Sequence, residues 1–253
     1  MDAIIGYTGF VGSNLVNQRR FDFMFNSKNI SEITNHEYDI VVCAGISSLK
    51  WMAIKDPVED FIKIENLIES IRNVKCNRFV LISTIDVYEK TSDNPNLSKC
   101  TSNHHAYGVN RCNAEDQMKK IFGEKLLIIR LPAVFGRNLK KNVLFDLLNN
   151  NIRGKINLCD KYQWYNIKWL CEDLGAILGS ENLSEINLFS EPIMLKEIVE
   201  TFFDPDPDKT YHDCDTATTY NLNSGIEKLP YWSSKKVIMI EIKTFIKQHK
   251  IKL

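Results

Sequence analysis

Ile4-Ile5-Gly6-Tyr7-Thr8-Gly9-Phe10-Val11-Gly12-Ser13-Asn14-Leu15 is the stretch that decides the fold. A short apolar run enters three glycines spaced G-x-x-G-x-x-G, and a helical pattern leaves them. Each glycine answers a separate demand. Gly6 permits a tight turn out of a strand. Gly9 has no Cβ, so a pyrophosphate can approach the backbone. Gly12 lets the helix pack close to a sheet. The helix N-terminus then offers N–H groups and about half a positive charge to phosphates. The spacing differs by one residue from the G-x-G-x-x-G form.

Outward from this turn, short apolar runs alternate with helical patterns. Strands are expected at Ala3–Ile5, Phe23–Phe25, Asp39–Ala44, Arg78–Ser83, Leu126–Leu131 and Ile186–Phe189. Helices are expected at Val11–Arg19, Pro57–Val74 and Ala106–Phe122. In the second of these, Phe61, Ile64, Ile68 and Ile71 form one apolar stripe. Ile40-Val41-Val42-Cys43 and Phe79-Val80-Leu81-Ile82 are apolar without alternation, as strands buried on both faces are. Strand alternating with helix predicts a doubly wound α/β sheet. After Arg137 the pattern weakens. A helical stretch at Val143–Asn150 is followed by Trp164–Leu178, a helix at Leu195–Phe203, a breaker at 204–208 and a last amphipathic helix near Ser234–Lys247.

The composition bounds the function. Thirty-two basic and 32 acidic residues cancel, which argues against a nucleic-acid binder or a polybasic membrane anchor. No apolar run nears the ~18 residues of a transmembrane helix. Met1 runs into Ala3-Ile4-Ile5 without a basic segment, so no signal peptide is expected. Seven widely spaced cysteines without C-x-x-C fit reduced thiols and a cytoplasmic protein. No metal is expected. His104-His105 lacks further ligands at sensible spacing, and His212-Asp213-Cys214-Asp215 reads as a polar turn. Trp164, Tyr165 and Trp169 suit either base stacking or core packing, core packing being the commoner fate.

The second strand ends at Asn26-Ser27-Lys28, where an acidic residue would take the ribose hydroxyls of NAD. A neutral or basic cluster tolerates a 2′-phosphate, so the sequence favours NADP, with NAD as the alternative. Farther on, Ser83-Thr84-Ile85-Asp86-Val87-Tyr88 sets hydroxyls at a strand's C-terminal end, where an open α/β sheet binds ligands. Tyr107 and Arg111 are four apart and share a helix face.

These segments together resemble the extended short-chain dehydrogenase/reductases of the NAD-dependent epimerase/dehydratase group, which act mostly on nucleotide sugars. The carriers are Gly6-x-x-Gly9-x-x-Gly12, Val42-Cys43-Ala44-Gly45, Ser83-Thr84-x-x-Val87-Tyr88, Tyr107-x-x-x-Arg111 and Ile129-Arg130-Leu131-Pro132-x-x-Phe135-Gly136. The resemblance implies a Rossmann-type doubly wound parallel sheet with a small C-terminal substrate lobe. Residues 1–136 would form the dinucleotide-binding domain, with 160–190 returning to it, and 137–159 and 191–253 the substrate lobe. Catalysis would fall to Tyr107 as acid/base, Thr84 holding the reacting oxygen, and Arg111. Cofactor contacts are expected from Gly6, Thr8, Gly9, Phe10, Val11, Gly12, Asn26, Ser27, Lys28, Ala44, Gly45, Tyr107, Arg111 and Pro132. Substrate contacts are expected from Thr84, Asp86, Lys140 and Gln163. A homodimer through the helices near 57–74 and 106–122 is also implied.

The chain departs from the family at several of these positions. Arg111 stands where the family has lysine. An arginine keeps the charge that pulls a phenol's pKa down, about 4 kcal/mol at ~4 Å and an effective dielectric of 20, but cannot relay protons. Ile85-Asp86 replaces the Asp-Glu of the dehydratases. Gln163 replaces an arginine that grips the diphosphate. Two functions stay open: an NAD(P)-dependent oxidoreductase or epimerase of nucleotide sugars, reduction being slightly favoured, and a non-catalytic NAD(P)-binding regulatory or scaffold protein.

Overall fold

A computed structural model describes residues 1–88, 104–151, 156–180, 183–203 and 217–250. The 204–208 breaker and the His212–Asp215 turn lie outside these residues. The strands are β1 (Asp2–Ile5), β2 (Phe23–Phe25), β3 (Glu37–Cys43), β4 (Lys75–Thr84), β5 (Leu126–Leu131), β6 (Ala133–Phe135), β7 (Lys161–Tyr162), β8 (Trp164–Asn166), β9 (Glu185–Asn187) and β10 (Ile193–Met194). The helices are α1 (Phe10–Gln18), α2 (Lys50–Lys55), α3 (Pro57–Ile71), α4 (Ala106–Phe122), α5 (Val143–Leu148), α6 (Leu170–Leu178), α7 (Leu195–Phe202) and α8 (Lys235–Lys250). The fold divides into two compact units: 1–89 with 98–131 and 168–186, and 90–97 with 132–167 and 187–253.

The first unit is built on a six-stranded sheet in the order β2-β1-β3-β4-β5-β9. β1 pairs in parallel with β2 and β3, β3 with β4, and β4 with β5. Register explains the apolar runs. Ala3, Val41, Phe79 and Leu126 form one row across the sheet and Ile5, Cys43, Leu81 and Ile128 another. Both rows belong to one buried cluster, with Ile64, Ile68 and Ile71 of α3 and Ala114, Met118 and Phe122 of α4. The rings of Phe79 and Phe122 stack at 3.9 Å. The intervening row, Ile4, Val42, Val80 and Leu127, is fully buried on the opposite face. Each such side chain contributes roughly 1.5–3 kcal/mol by leaving water. α3 starts where Asp56 accepts the Glu59 N–H at 3.0 Å and Pro57 takes the first helical position.

Three local expectations change. Phe61, read as part of the α3 stripe, is 36% exposed, while Ile64, Ile68 and Ile71 are buried. α2 is an additional helix. Trp164–Leu178 divides into β8, a short turn and α6. Among the cysteines, Cys43, Cys76 and Cys171 are free, whereas Cys112 and Cys159 are disulfide-bonded. The expectation of reduced thiols therefore does not hold throughout.

In the second unit β6 pairs in parallel with β8, and β10 with β7 antiparallel. Trp164 is completely buried and meets Phe135 edge-on at 6.3 Å. Gly136 has φ +149°, and a Cβ there would stand 2.5 Å from Ile167. No helix among the described residues is long and apolar enough to cross a membrane.

Candidate active site

The glycine turn lies where β1 ends between β2 and β3, the point at which strand order reverses and open α/β sheets bind ligands. Gly6 N–H donates to Phe25 O at 2.8 Å and Ala44 N–H to Ile5 O at 2.9 Å. Two of the three glycines are demanded by the chain itself. Gly6 has φ +82°, and a Cβ on it would lie 2.5 Å from Ala44 O. A Cβ on Gly12 would lie 2.2 Å from Gly6 O. Gly9 differs, since its Cβ would meet only Gly6 O, at 3.3 Å. Packing thus demands a glycine less strictly at Gly9, which caps the N-terminus of α1. Thr8 and Gly9 are exposed, and Phe10 and Val11 half-buried. Gly45 follows Ala44 against Ile5 and Leu67.

Beyond β2, Asn26 donates to the Tyr7 hydroxyl at 3.0 Å and accepts the Lys28 N–H at 2.8 Å. Its side chain therefore ties the β2 end to the glycine turn. Ser27 and Lys28 are exposed.

The second cluster lies at the end of β4 and the start of α4. Thr84 Oγ1 accepts the Asp86 N–H at 3.1 Å. α4 begins at His105, whose Nδ1 accepts the Gly108 N–H at 3.0 Å. Gly108 has a local cause. A Cβ there would stand 2.2 Å from Asp86 O and closer still to His104. Without one, the 85–87 turn closes onto α4, and the Tyr107 hydroxyl forms a hydrogen bond with Thr84.

Arg111 does not stand free beside the phenol. Its guanidinium lies 3.8 Å from the Tyr107 ring centroid, stacked on the ring. Its Nη atoms donate to both carboxylate oxygens of Asp60 on α3 and, at 2.5 Å, to Ser47 O. Asn110 also donates to Asp60, at 2.8 Å. The downward pull of Arg111 on Tyr107 is outweighed, chiefly by burial. Burial raises its pKa, Arg111 and the Thr84 hydrogen bond lower it, and the charges of Asp86 and Asp60 raise it again, leaving it pushed up to about 12. Arg111 Nε remains buried with no hydrogen-bond partner among the described residues.

Asp86 is the other charged member. Lys50 Nζ bonds its Oδ1 at 2.5 Å and His105 Nε2 lies 3.3 Å away. Burial acts to raise the Asp86 pKa, but His105 and Lys50 outweigh it and hold the carboxyl far below its ordinary value. Lys50 and Asp60 carry no signal in the sequence, His105 stands out only as half of a histidine pair set aside as a metal site, and Gly108 directly follows Tyr107.

Pro132, Lys140 and Gln163 belong to the second unit. Pro132 is buried and Lys140 exposed. Gln163, expected to meet the substrate, is 1% exposed. Its Nε2 donates to Ser190 O and Leu222 O, each at 2.7 Å, and its Oε1 accepts the Leu222 N–H at 2.9 Å. The side chain is occupied in holding its own unit together. Trp164 and Tyr165 are core residues, whereas Trp169 is 42% exposed beneath Lys168.

Several solved structures share this fold. UDP-glucose 4-epimerase from Thermotoga maritima, solved with UDP-glucose, superposes with a TM-score of 0.75 at 13% identity, covering 100% of this chain and 99% of that one. dTDP-4-dehydrorhamnose reductase from Bacillus anthracis, in complex with NADP, gives 0.72 at 14% identity over 98% and 97% of the two chains. L-threonine dehydrogenase from Phytophthora infestans gives 0.75 at 13% over 100% and 99%. At these identities the likeness is one of fold. No curated protein sequence matches. The NAD dependent epimerase/dehydratase family matches residues 19–166, and with more than half of its length inside that match, the chain belongs to this family.

Proposed function

We propose that the protein is an NAD(P)-dependent oxidoreductase that reduces a keto-sugar carried on a nucleotide. Family membership and the nucleotide-sugar enzymes among the similar structures support the substrate class. The observation that carries the direction is the burial of Tyr107, which is 6% exposed and whose desolvation outweighs the pull of Arg111. With burial dominating, Tyr107 keeps its proton at neutral pH. A protonated phenol suits donation to the carbonyl oxygen of a ketone. Epimerisation at C4 would begin with the phenolate, to take a proton from a hydroxyl, and is the second choice for that reason.

The residues present fit a dinucleotide. Gly9 is exposed at a helix N-terminus that suits phosphates, and Arg111 Nε is a buried donor awaiting an acceptor. Gly6, Thr8, Gly9, Phe10, Val11 and Gly12 would hold the pyrophosphate, and Ala44 and Gly45 would border it. Asn26, Ser27 and Lys28 would receive the adenosine end, and their lack of a carboxylate favours NADP. Bound, the nicotinamide supplies the hydride. Thr84 then orients the substrate oxygen and Tyr107 protonates it. Asp86 and Lys140 remain candidate substrate contacts. Exposed Val58, Phe61 and Ile62 on α3 support a homodimer, which a sedimentation measurement of mass tests.

The decisive experiment follows absorbance at 340 nm with NADPH or NADH against a panel of nucleotide keto-sugars. Wild-type turnover, faster with NADPH, is expected. Tyr107→Phe should lower kcat about 100- to 10,000-fold while binding of the reduced cofactor persists. Cofactor binding without turnover on any sugar would instead establish the regulatory or scaffold protein, which the occupied side chain of Gln163 favours.

A further inference from the structure

We propose that Lys50 is the proton-relay residue of this site, returning to Tyr107 the proton that each reduction takes from it. The inference rests on the reductase reading above. A phenol that protonates a substrate is left as a phenolate and has to be recharged from water before the next turnover. Tyr107 is 6% exposed, so bulk water has little direct access to it.

The neighbours narrow the choice. A guanidinium does not release a proton in proteins, and the Nη atoms of Arg111 are fixed on Asp60 and Ser47. His105 accepts the Gly108 N–H through Nδ1. That bond leaves only Nε2 as a donor, and Nε2 faces Asp86 at 3.3 Å. Lys50 meets both requirements. Its ammonium lies 6.0 Å from the Tyr107 ring centroid. Its side chain is 35% exposed, so it also reaches water. Asp86 holds it in place at 2.5 Å. The same Asp86 donates its backbone N–H to Thr84, which hydrogen-bonds the phenol.

In the relay, an ammonium N–H bond breaks and its proton passes to the phenolate oxygen, through the Thr84 hydroxyl or one bridging water. The phenol O–H bond re-forms. The neutral amine then takes a proton from solvent. Asp86 stays ionised throughout and no electrons change hands. A lysine amine can release and recapture a proton, which a guanidinium cannot.

The test compares wild type with Lys50→Met and Lys50→Arg by two measurements. The first needs no turnover. Exchange of the Tyr107 hydroxyl proton with water is followed on 13Cζ-labelled tyrosine by NMR in mixed H2O and D2O, without cofactor. Both variants should slow exchange about tenfold or more, and added methylamine should restore it in Lys50→Met. The second is kcat with NADPH and a nucleotide keto-sugar. It should fall about 100-fold in both variants with cofactor affinity unchanged. Exchange and turnover at wild-type rates in Lys50→Arg would overturn the proposal, because charge alone would then suffice. Wild-type protein that reduces no sugar, yet whose hydroxyl exchange still depends on Lys50, would remove the reductase reading and leave the proton path standing.

Discussion

One turn of α4 carries two buried acid–arginine pairs, and they are built differently. At the first, Arg111 reaches across to Asp60 and stacks on Tyr107. At the second, Glu115 receives Arg130 from β5, through Nε at 2.8 Å and Nη2 at 2.6 Å. Arg130 also donates to Glu185 at 2.6 Å and to the Tyr88 hydroxyl at 3.0 Å, and Ser83 donates to Glu115 at 2.6 Å. Every nitrogen of the Arg130 guanidinium has an acceptor. Arg111 leaves its Nε buried and without one among the described residues. A closed network is what a structural clamp needs. An open donor next to a phenol is what a ligand site needs.

The difference is broken most severely at the clamp. Glu115 is 2% and Arg130 1% exposed. Glu115→Ala strands much of a buried guanidinium charge and leaves the Ser83 hydroxyl without its acceptor. Stability should fall by about 3–5 kcal/mol, read from the urea midpoint. A loss under about 1 kcal/mol would mean that Glu185 alone satisfies Arg130, and the clamp would not be closed through α4 after all.

What the sequence disclosed follows the range of the interactions. The sheet rows were legible in Ile40–Cys43 and Phe79–Ile82, because unbroken apolar runs have only one economical placement, between two helical layers. The α3 stripe was legible apart from Phe61, since periodicity marks a face and not how far along it burial runs. The proximity of Thr84 and Tyr107 was implied by the family resemblance, with Thr84 at a strand's C-terminal end. The fate of Arg111 could not. Its partner Asp60 lies 51 positions away on a helix whose polar face carries several acids, and no spacing rule selects one of them. Gln163 failed for a related reason. Three backbone groups close around it, and backbone acceptors leave no mark in a sequence.

A smaller change sharpens the contrast at the open pair. Arg111→Lys keeps the charge but offers one ammonium where a planar fork now spans both Asp60 oxygens and Ser47 O. The stacking on Tyr107 is lost with it. Stability should fall by about 1–2 kcal/mol, well below the Glu115→Ala loss, because a lysine can still approach Asp60 and leave no isolated charge. Turnover is the more telling readout. If the arginine limits the proton supply, the new amine should raise kcat. If Lys50 already provides that supply, kcat should stay within about twofold or fall as Tyr107 loses its stacked partner. The second outcome is the expected one. A several-fold gain in kcat would mean that Arg111, rather than Lys50, is the group whose proton chemistry governs the phenol.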